Sequence, residues 1–326
     1  MRNLIFGVTG MLGHALWLRL SGDHETFGTV RGDEFALSEK CALFRKNVQN
    51  IMGGVNVLND DDLKRAIDAA EPEVIVNCAG IVKQLPGAKY PVSSIAVNAL
   101  FPHRLAGVCA ERNIRLIHIS TDCVFSGRNG GYIETSYPDA DDLYGRTKYL
   151  GEVTGSNCLT IRTSLVGRQL SGAGGLFEWF LSHKGKVRGY RKAIFSGLTV
   201  YAMADVIKTL IEKHPALEGM YHVSGEKISK YDLLNRLRRS LGLDIGLVPD
   251  DTIVIDRSLD STRFRRCTRI YIPTWEEMME DFTRIASEYE KWRYQELKPA
   301  YRQATKNYIT EPPFFDGLIS STKRGI

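Results

Sequence analysis

Tyr144 and Lys148 stand four positions apart, a spacing that places two side chains on the same face of a helix. An ammonium beside a phenol stabilises the phenolate, which lowers a pKa that is ordinarily about 10. Such a tyrosine can give a proton to a carbonyl oxygen as hydride reaches the carbon, or take the proton back in the reverse direction. The spacing therefore indicates proton transfer coupled to hydride transfer. A tyrosine and a lysine four positions apart also occur by chance on exposed helices, however.

A hydroxyl-bearing segment, Ser120-Thr121-Asp122, precedes this pair at the end of the fifth predicted strand. Open α/β sheets bind their ligands beyond the carboxyl ends of the strands. We expect Thr121, with Ser120 as the alternative, to hydrogen-bond the reacting oxygen. The predicted catalytic residues are Thr121, Tyr144 and Lys148, and Lys148 is also expected to hold the nicotinamide ribose hydroxyls.

A three-glycine turn connects the first predicted strand to the first predicted helix. Glycines at this junction permit a tight turn, close approach of the backbone to a pyrophosphate, and close packing of helix on strand. The helix N-terminus then offers free N–H groups and a partial positive charge to the phosphates. The residues expected to bind the dinucleotide here are Gly7, Thr9, Gly10, Met11, Leu12 and Gly13.

Arg31, at the end of the second predicted strand, bears on which dinucleotide binds. An acidic residue there holds the adenosine ribose 2′-hydroxyl, whereas an arginine accepts a 2′-phosphate. Arg31 therefore favours NADP(H), while Asp33 keeps the other cofactor open if the strand ends two residues later. An arginine with only a solvated role is the further alternative.

The end of the fourth predicted strand carries small residues that let the backbone pass close to the adenine ribose and the nicotinamide side of a cofactor. This signal is weak alone, because Ala-Gly is common at strand ends. The remaining predicted cofactor contacts are Cys78, Ala79, Gly80, Ser120, Tyr144 and Lys148.

Strand-like and helix-like patterns alternate through the first half of the chain, which predicts an α/β fold: a Rossmann-type, doubly wound parallel sheet. The predicted strands are residues 4–8, 26–30, 55–58, 73–78, 115–120 and 159–166. The predicted helices begin near residue 11 and cover 60–70 and 92–112.

The second half is less regular, with helices predicted at 203–213 and 230–241 and a strand at 220–223. We predict a cofactor domain made of residues 1–166 plus roughly 197–225. A smaller, discontinuous α/β substrate domain takes roughly 167–196 and 226–326, including a C-terminal extension. The Tyr- and Arg-rich stretch 288–308 is expected to be a docking helix or a cover for its own core, and a homodimer is kept open.

Composition and charge bear on the protein's partners, its location and the state of its cysteines. The 326 residues carry a net charge of +5, with Lys and Arg interleaved with acids, which fits a phosphorylated small molecule as well as it fits nucleic acid. The chain has no apolar run of about 18 residues, and we expect a cytoplasmic protein with no membrane or nucleic-acid partner. Six scattered cysteines predict reduced, mostly buried thiols rather than disulfides or a metal site.

Taken together, these motifs resemble the extended short-chain dehydrogenase/reductases, and within them the dTDP-4-dehydrorhamnose reductase family. The resemblance is good over roughly the first 170 residues and fades beyond. It rests on segments 120–127 (STDCVFSG), 144–152 (YGRTKYLGE), 161–164 (IRTS), 195–199 (FSGLT) and 256–258 (DRS), together with Tyr132 and Glu134. Two residues depart from the pattern. Cys123 replaces the usual aromatic residue, and Ala15 replaces a glutamate that binds magnesium in some relatives, so no metal is expected.

This resemblance implies NADPH-dependent reduction of the 4-keto group of a nucleotide-linked 4-keto-6-deoxyhexose, in deoxysugar or surface polysaccharide biosynthesis. Arg257 is the candidate for a phosphate or base contact, while Lys83 and Gln84 could reach the sugar, with a solvated Lys83 equally open. The implied substrate contacts are Lys83, Thr121, Cys123, Val124, Tyr144, Ser196 and Arg257. Arg188 and Arg191 form a basic cluster that we interpret first as an exposed loop.

Other activities of the same fold are weighed against this reading. A 4,6-dehydratase carries Asp-Glu after the catalytic threonine, and Asp122-Cys123 lacks that second carboxylate. A nucleotide-sugar epimerase favours an acidic residue where this chain has Arg31. An NADP-binding regulatory or scaffold protein without turnover stays open, although it has no need of Thr121, Tyr144 and Lys148 together. The nucleotide, the sugar and the product stereochemistry are not readable from the sequence.

Overall fold

A computed structural model describes residues 1–83, 90–172 and 174–292. Gln84, Ala173, most of the stretch 288–308 and the rest of the C-terminal extension lie outside the described residues. The strands are β1 Arg2–Phe6, β2 Glu25–Thr29, β3 Ile51–Met52, β4 Val74–Asn77, β5 Arg115–Thr121, β6 Cys158–Thr163, β7 Leu165–Val166, β8 Gly185–Tyr190, β9 Ala193–Phe195, β10 Leu198–Thr199, β11 Gly219–His222, β12 Ile228–Ser229, β13 Ile245–Asp250 and β14 Ile255–Asp256. The α-helices are α1 Met11–Leu20, α2 Glu34–Lys40, α3 Asp60–Ala70, α4 Pro91–Ile95, α5 Phe101–Glu111, α6 Leu143–Leu150, α7 Leu176–Leu181, α8 Val200–Lys213, α9 Lys230–Ser240, α10 Thr262–Thr268 and α11 Trp275–Trp292.

Seven parallel strands form the main sheet, in the order β11-β6-β5-β4-β1-β2-β3. Parallel neighbours need a crossover between them, and the helices that supply these crossovers cover the sheet. Alternate residues of β1 face opposite sides: Leu4 and Phe6 pack into one hydrophobic core, while Ile5 packs into the other. The predicted doubly wound α/β fold is therefore confirmed.

The third strand differs from the prediction. It lies at Ile51–Met52, where it pairs with β2, and not at 55–58. In the predicted segment local side chains take the backbone donors: the Asn56 N–H donates to the Asp62 carboxylate, and the Leu58 N–H donates to the side chain of Asn56. These turn-type hydrogen bonds compete with sheet pairing and end the extended conformation.

The sixth predicted strand also divides. Residues 158–163 stay in the main sheet, whereas β7 pairs with β10 in a separate two-stranded sheet. The chain thereby leaves the main sheet just after the strand that borders β5. Short strands that follow build a second layer of structure beside the carboxyl ends of the main sheet's strands.

Two further small sheets make up this second part: β12-β9-β14, and β13-β8. Helices α9 and α11 pack together, and α11 also packs on α8 and on the segment before β3. β11 returns to the main sheet between the two stretches, so these small sheets come from separate parts of the sequence, and the domain division stays a prediction.

The structure also bears on disulfides, membrane spans and metal sites. All six cysteines are unpaired; Cys41, Cys109 and Cys158 are buried, whereas Cys267 is exposed. Among the helices that the structure describes, none is both long and apolar enough to cross a membrane. No group of three or more His, Cys, Asp or Glu within the described ranges is arranged to hold a metal ion.

Candidate active site

Thr121 ends β5 and caps the short 3₁₀ turn that follows. Its hydroxyl accepts the Cys123 N–H at 3.1 Å and donates to Asp122 Oδ1 at 3.1 Å. Helix α6 packs closely against this turn at Gly145. A Cβ at that position would stand 2.2 Å from the Cys123 carbonyl oxygen, so the contact requires glycine. Asp142 starts the helix by accepting the Gly145 N–H at 2.9 Å. This close contact brings Tyr144, the preceding residue, to the Thr121 hydroxyl.

Lys148, one turn further along α6, reaches back across the sheet. Its side-chain Nζ donates a 2.7 Å hydrogen bond to the Ile119 carbonyl oxygen on β5, and the residue is 6% exposed. Burial lowers the pKa of this lysine to about 8, while the nearby Glu152 carboxylate acts in the opposite direction. The structure thus places Thr121, Tyr144 and Lys148 together at the carboxyl end of β5, as the sequence predicts.

The ionisation of Tyr144 differs from our expectation. Burial of the phenol raises its pKa above the ordinary value, and Cys123 and the Asp122 and Asp142 carboxylates add to this; the hydrogen bond with Thr121 acts in the opposite direction. The expected lowering by Lys148 is not seen, because that ammonium is committed to the Ile119 carbonyl. Tyr144 is therefore held as the neutral phenol, the form that donates a proton.

Lys83 lies at the edge of this group. Its ammonium forms a 2.7 Å ion pair with Asp142 and stands 5.7 Å from the centre of the Tyr144 ring. Of the two interpretations left open for Lys83, this position favours one beside the reacting groups over a free solvated side chain. Gln84, its neighbour, lies outside the described residues.

Arg257 approaches from the smaller part of the chain. Its Nε donates to the Phe125 carbonyl oxygen at 2.9 Å, and Asp122 and Cys123 are among the groups in electrostatic range of its guanidinium. The Cys123 thiol is held neutral, since burial raises its pKa and Asp122 raises it further. Arg257 and Cys123 thus lie next to the Thr121 turn, where the predicted substrate contacts would place them.

Two other predicted substrate contacts lie in the core instead. Val124 is fully buried in a cluster with Phe125 and Tyr132. The Ser196 hydroxyl is buried and accepts the Leu259 N–H at 2.8 Å, which ties β9 to the segment after β14. Packing explains both positions, because successive residues of a motif can face the site and the protein interior in turn. We therefore assign Val124 and Ser196 to the interior and not to substrate contact.

Ser120 also points away from the reacting groups. Its hydroxyl donates to Glu152 Oε1 at 2.7 Å, so it supports α6 while Thr121 faces Tyr144. Glu152 in turn accepts two 2.7 Å hydrogen bonds from Arg162, and both of these side chains are 3% exposed. This fully buried, bidentate pair joins β6 to the end of α6 and fixes the helix that carries Tyr144 and Lys148.

Tyr132 and Glu134, two residues on which the family resemblance rests, contact His222 next to the Glu152–Arg162 pair. His222 lies 3.3 Å from the Arg162 guanidinium, and its backbone N–H donates to the Glu134 side chain. Its ring Nδ1 lies 2.9 Å from the Tyr132 carbonyl oxygen, and burial lowers the His222 pKa to about 4. Tyr132 and Glu134 therefore stabilise the strand ends and do not approach the reacting groups.

Asn98 is a site-supporting residue that the sequence reading missed. Its side-chain amide accepts from the Ile81 N–H at 2.8 Å, donates to the Ile81 carbonyl at 2.9 Å, and reaches Thr147 on α6 at 3.3 Å. The segment Ala96–Leu100 is a π-helical turn between α4 and α5. Pro102 supplies the reason, since it has no N–H to donate to the carbonyl four residues earlier. A proline inside a predicted helix was the available signal.

The glycine turn has the geometry of a dinucleotide cradle. Gly7 has φ +81°, and a Cβ on it would meet the Ala79 backbone at 3.1 Å; a Cβ on Gly13 would lie 2.2 Å from the Gly7 carbonyl oxygen. Gly10 precedes α1 without any side-chain cap, and the first turn of the helix contains no acid. Its N–H groups are therefore available to an anion. Thr9 and Met11 are half-buried beside the turn, whereas Leu12 packs into the core.

The end of β2 carries the predicted cofactor-selecting residues. Asp33 caps α2, its carboxylate accepting the Ala36 N–H at 2.7 Å. Arg31 is exposed and makes no hydrogen bond or ion pair with any residue that the structure describes. The acid is thus committed to a helix cap, while the guanidinium stays available. Cys78, Ala79 and Gly80 follow β4 directly opposite Gly7, and the Cys78 thiol lies in electrostatic range of Lys148.

The basic cluster formed by Arg188 and Arg191 is exposed. Arg188 pairs with Asp250 at 3.4 Å and Arg191 pairs with Asp251 at 2.8 Å, and both arginine side chains are more than half exposed. The partners of these two arginines are therefore Asp250 and Asp251 and not groups of the Thr121 turn.

Lys230, which no motif marked, does approach that turn. It begins α9, its ammonium lies 3.6 Å from the centre of the Phe195 ring, and Asp122, Cys123 and Arg257 surround it electrostatically.

The chain is similar to a known family and to several known proteins. A family model described as the RmlD substrate binding domain matches residues 1–284. A dTDP-4-keto-6-deoxy-D-glucose reductase of Streptomyces niveus is 29% identical over 46% of each chain. The probable low-salt glycan biosynthesis reductase Agl14 of Haloferax volcanii is 26% identical over 80% of this chain and 87% of its own. Methionine adenosyltransferase 2 subunit beta of Mus musculus is 29% identical over 71% of this chain and 70% of its own.

Solved structures with the same fold include two described as dTDP-4-dehydrorhamnose reductases. The one from Bacillus anthracis, in complex with NADP, is 22% identical with a TM-score of 0.70 and covers 86% of this chain and 98% of its own. The one from Sulfolobus tokodaii, described as hypothetical, is 25% identical with a TM-score of 0.69 and covers 85% and 98%.

Proposed function

Because the chain belongs to the RmlD substrate binding domain family, we propose that it reduces the 4-keto group of a nucleotide-linked 4-keto-6-deoxyhexose with NADPH. The observation that carries the proposal is the placement of a neutral Tyr144 phenol against the Thr121 hydroxyl, with Lys148 behind them, at the carboxyl end of β5. The reductases among its relatives support the same class of reaction.

Arg31 and the glycine turn support NADPH as the reductant. The turn between β1 and α1 leaves no room for a Cβ at Gly13 and presents uncapped helix N–H groups, which suits a pyrophosphate. Arg31 is free to meet a 2′-phosphate, since Asp33 is occupied as a helix cap. Cys78, Ala79 and Gly80 would line the nicotinamide side, and Lys148 would hold the ribose hydroxyls. The bound cofactor supplies the hydride.

Tyr144 supplies the proton. In the reduction, hydride adds to the carbonyl carbon, the C=O π electrons pass to oxygen, and the oxygen takes the phenolic proton of Tyr144 to become a hydroxyl. With substrate bound, the Thr121 hydroxyl would turn its single proton from Asp122 to the same oxygen and polarise the carbonyl. The phenolate left on Tyr144 then regains a proton from solvent. Because burial raises the pKa of Tyr144, the phenol carries the proton that the reduction consumes.

Positioning of the substrate falls to the surrounding cations. Lys83 stands beside the Tyr144 ring and Arg257 beside Cys123, so the sugar would lie between them with its diphosphate towards Arg257. Cys123 is smaller than the aromatic residue that the resembling family carries, so the side chain at this position occupies less volume next to the Thr121 turn.

The test is NADPH oxidation, followed by absorbance, with a panel of 4-keto-6-deoxy sugar nucleotides generated in place by dehydratases. We expect oxidation with one member of the panel and a loss of about a hundredfold or more in kcat for Tyr144→Phe. Tyr149→Phe, on the exposed side of the same helix, is the matched control and should keep full activity.

A second function is motivated by the methionine adenosyltransferase subunit among the relatives: a cofactor-binding regulatory protein without turnover. The assembled Thr121, Tyr144 and Lys148 argue against it, because binding alone does not require a buried proton donor. Tight NADPH binding with no oxidation across the whole panel would support the regulatory role and contradict the reductase.

A further inference from the structure

The carbonyl group of Gly10, at the start of α1, is held by one residue. Its oxygen accepts the His14 backbone N–H at 3.1 Å and lies 2.8 Å from the His14 ring Nδ1. The Gly10 carbonyl and the Met11 N–H belong to the same planar trans peptide unit, in which they point in opposite directions. Holding the carbonyl therefore also holds the direction of the Met11 N–H, the first helix donor, which no side chain caps.

The hydrogens of the His14 ring follow from its surroundings. A carbonyl oxygen can only accept, so Nδ1 carries the hydrogen that is donated to Gly10. Burial lowers the pKa of His14 to about 4, so the ring is neutral and its Nε2 keeps a lone pair. The Tyr289 hydroxyl, from α11, donates to this Nε2, and the two ring centres lie 5.5 Å apart. A continuous hydrogen-bonded chain thus runs from Tyr289 through His14 to Gly10.

Tyr289 is itself fixed by the packing of α11. The side chain is fully buried, and the Arg168 guanidinium lies 5.1 Å from the centre of its ring. Arg168 is held in turn by Glu178 at 2.6 Å and by Glu290 at 3.1 Å. Burial raises the pKa of Tyr289, so its hydroxyl keeps the hydrogen that it donates. The hydroxyl is therefore presented to His14 in one position.

Packing alone does not account for this polar chain. His14 and Tyr289 are both 0% exposed, and taking an imidazole and a phenol out of water costs free energy unless both are hydrogen-bonded. Apolar side chains of similar size, such as those that fill the rest of this core, would hold α11 on α1 without that cost. The polar pair instead ends at the peptide that opens the glycine turn's helix, where a bound pyrophosphate needs a fixed N–H direction.

We propose that Tyr289 is a positioning residue for the cofactor, which acts through His14 to hold the Gly10–Met11 peptide in the orientation that binds a pyrophosphate. Helix α11 thereby sets the affinity for NADP(H) from 275 positions further along the chain. Coupling of this kind is reciprocal, so the bound cofactor also strengthens the contact of α11 with α1. The proposal rests on the cofactor of the proposed function and not on its substrate or its turnover.

The experiment measures ligand binding by calorimetry in wild type, Tyr289→Phe, His14→Phe and the double variant. Tyr289→Phe removes one hydroxyl and leaves the ring packing in place, so its result stands without the histidine variants. The ligands are NADPH and adenosine 2′-monophosphate, which keeps the 2′-phosphate but has no pyrophosphate.

Two further variants separate positioning from a general loosening of α11. Tyr271→Phe is the matched control, since the Tyr271 hydroxyl donates to Glu277 in the first turn of α11 at 2.7 Å. Asp281→Asn breaks the 2.8 Å ion pair between α11 and Arg19 of α1. Asp281→Asn should lower the urea midpoint, and both variants should bind NADPH within about twofold of wild type.

We expect Tyr289→Phe to weaken NADPH binding about fivefold or more and to leave adenosine 2′-monophosphate binding unchanged. Because Tyr289 acts through His14, the double variant should bind NADPH as His14→Phe does. Unchanged NADPH affinity in Tyr289→Phe would overturn the proposal, as would equal weakening of both ligands or additive losses in the double variant.

The positioning role and the reductase activity can fail separately. Selective loss of NADPH affinity in Tyr289→Phe, in a protein that oxidises NADPH with no sugar nucleotide, would keep the positioning role and reject the reductase. Full NADPH affinity in a Tyr289→Phe protein that turns over a sugar nucleotide would do the reverse.

Discussion

The ammonium of Lys148 donates a 2.7 Å hydrogen bond to the carbonyl oxygen of Ile119, on the strand that ends at Thr121. This bond fixes α6 against β5 from the inside, so that Tyr144, one turn earlier, faces the Thr121 hydroxyl. It also removes Lys148 from the role expected of it, lowering the pKa of the phenol. The pair predicted from its spacing is real, but its two members meet different partners.

The buried Lys148 makes stability depend on pH. Its pKa is about 8 in the fold against 10.5 as the ordinary value, so between these pH values the unfolded state binds more protons and the free energy of unfolding increases as pH rises. We expect wild type to gain about 3 kcal/mol relative to Lys148→Met over this interval. Urea denaturation at pH 7, 8, 9 and 10 measures it. If the free energy of unfolding changes with pH in the same way in wild type and Lys148→Met, the lowered pKa of Lys148 is contradicted.

Thr121 and Ser120 can be separated by substitution. Because the Thr121 hydroxyl faces Tyr144, Thr121→Val should lower kcat about a hundredfold with NADPH binding unchanged. The Ser120 hydroxyl is bonded to Glu152, so Ser120→Ala should mainly lower stability, by about 1 kcal/mol, and leave kcat within about threefold of wild type. Steady-state kinetics and urea denaturation on both variants are the measurements, and the reverse pattern would make Ser120 the residue at the reacting oxygen.

Arg31 should select the cofactor. If its guanidinium meets a 2′-phosphate, Arg31→Ala should weaken NADPH by about tenfold or more and leave NADH unchanged, since a charged hydrogen bond is lost with only one of them. Fluorescence titration of both cofactors measures the effect. Arg239→Ala, exposed at the end of α9, serves as the control. Equal weakening of both cofactors would exclude Arg31 from this role.

The Glu152–Arg162 pair should be essential for stability. Both side chains are 3% exposed, and removing one partner leaves the other charge buried. We expect Glu152→Ala to cost about 3–5 kcal/mol in unfolding free energy. Asp251→Asn, which breaks the exposed pair with Arg191, should leave the urea midpoint unchanged. Equal midpoints for Glu152→Ala and wild type would show that water or another donor compensates the pair.

Residues close together in the sequence accounted for much of the candidate site. The turn at Gly7 and Gly13, the β5 end at Thr121 and the Tyr144/Lys148 spacing each follow from local rules, because strand period, helix period and glycine conformation are properties of short segments. The parallel sheet follows from the same alternation of patterns. Where local rules competed, as in segment 55–58, side-chain hydrogen bonds to the backbone moved β3 to Ile51–Met52.

The sequence by itself determined the doubly wound fold, the cofactor turn and which three residues meet at the end of β5. Only the tertiary structure decided that Ser120 turns to Glu152, that Asn98 supports the loop after β4, and that Lys230 joins Arg257 beside Cys123. The physical reason is the same in each case. These contacts join segments distant in the chain, and their partners are chosen by how helices and small sheets pack on one another, which no local periodicity encodes.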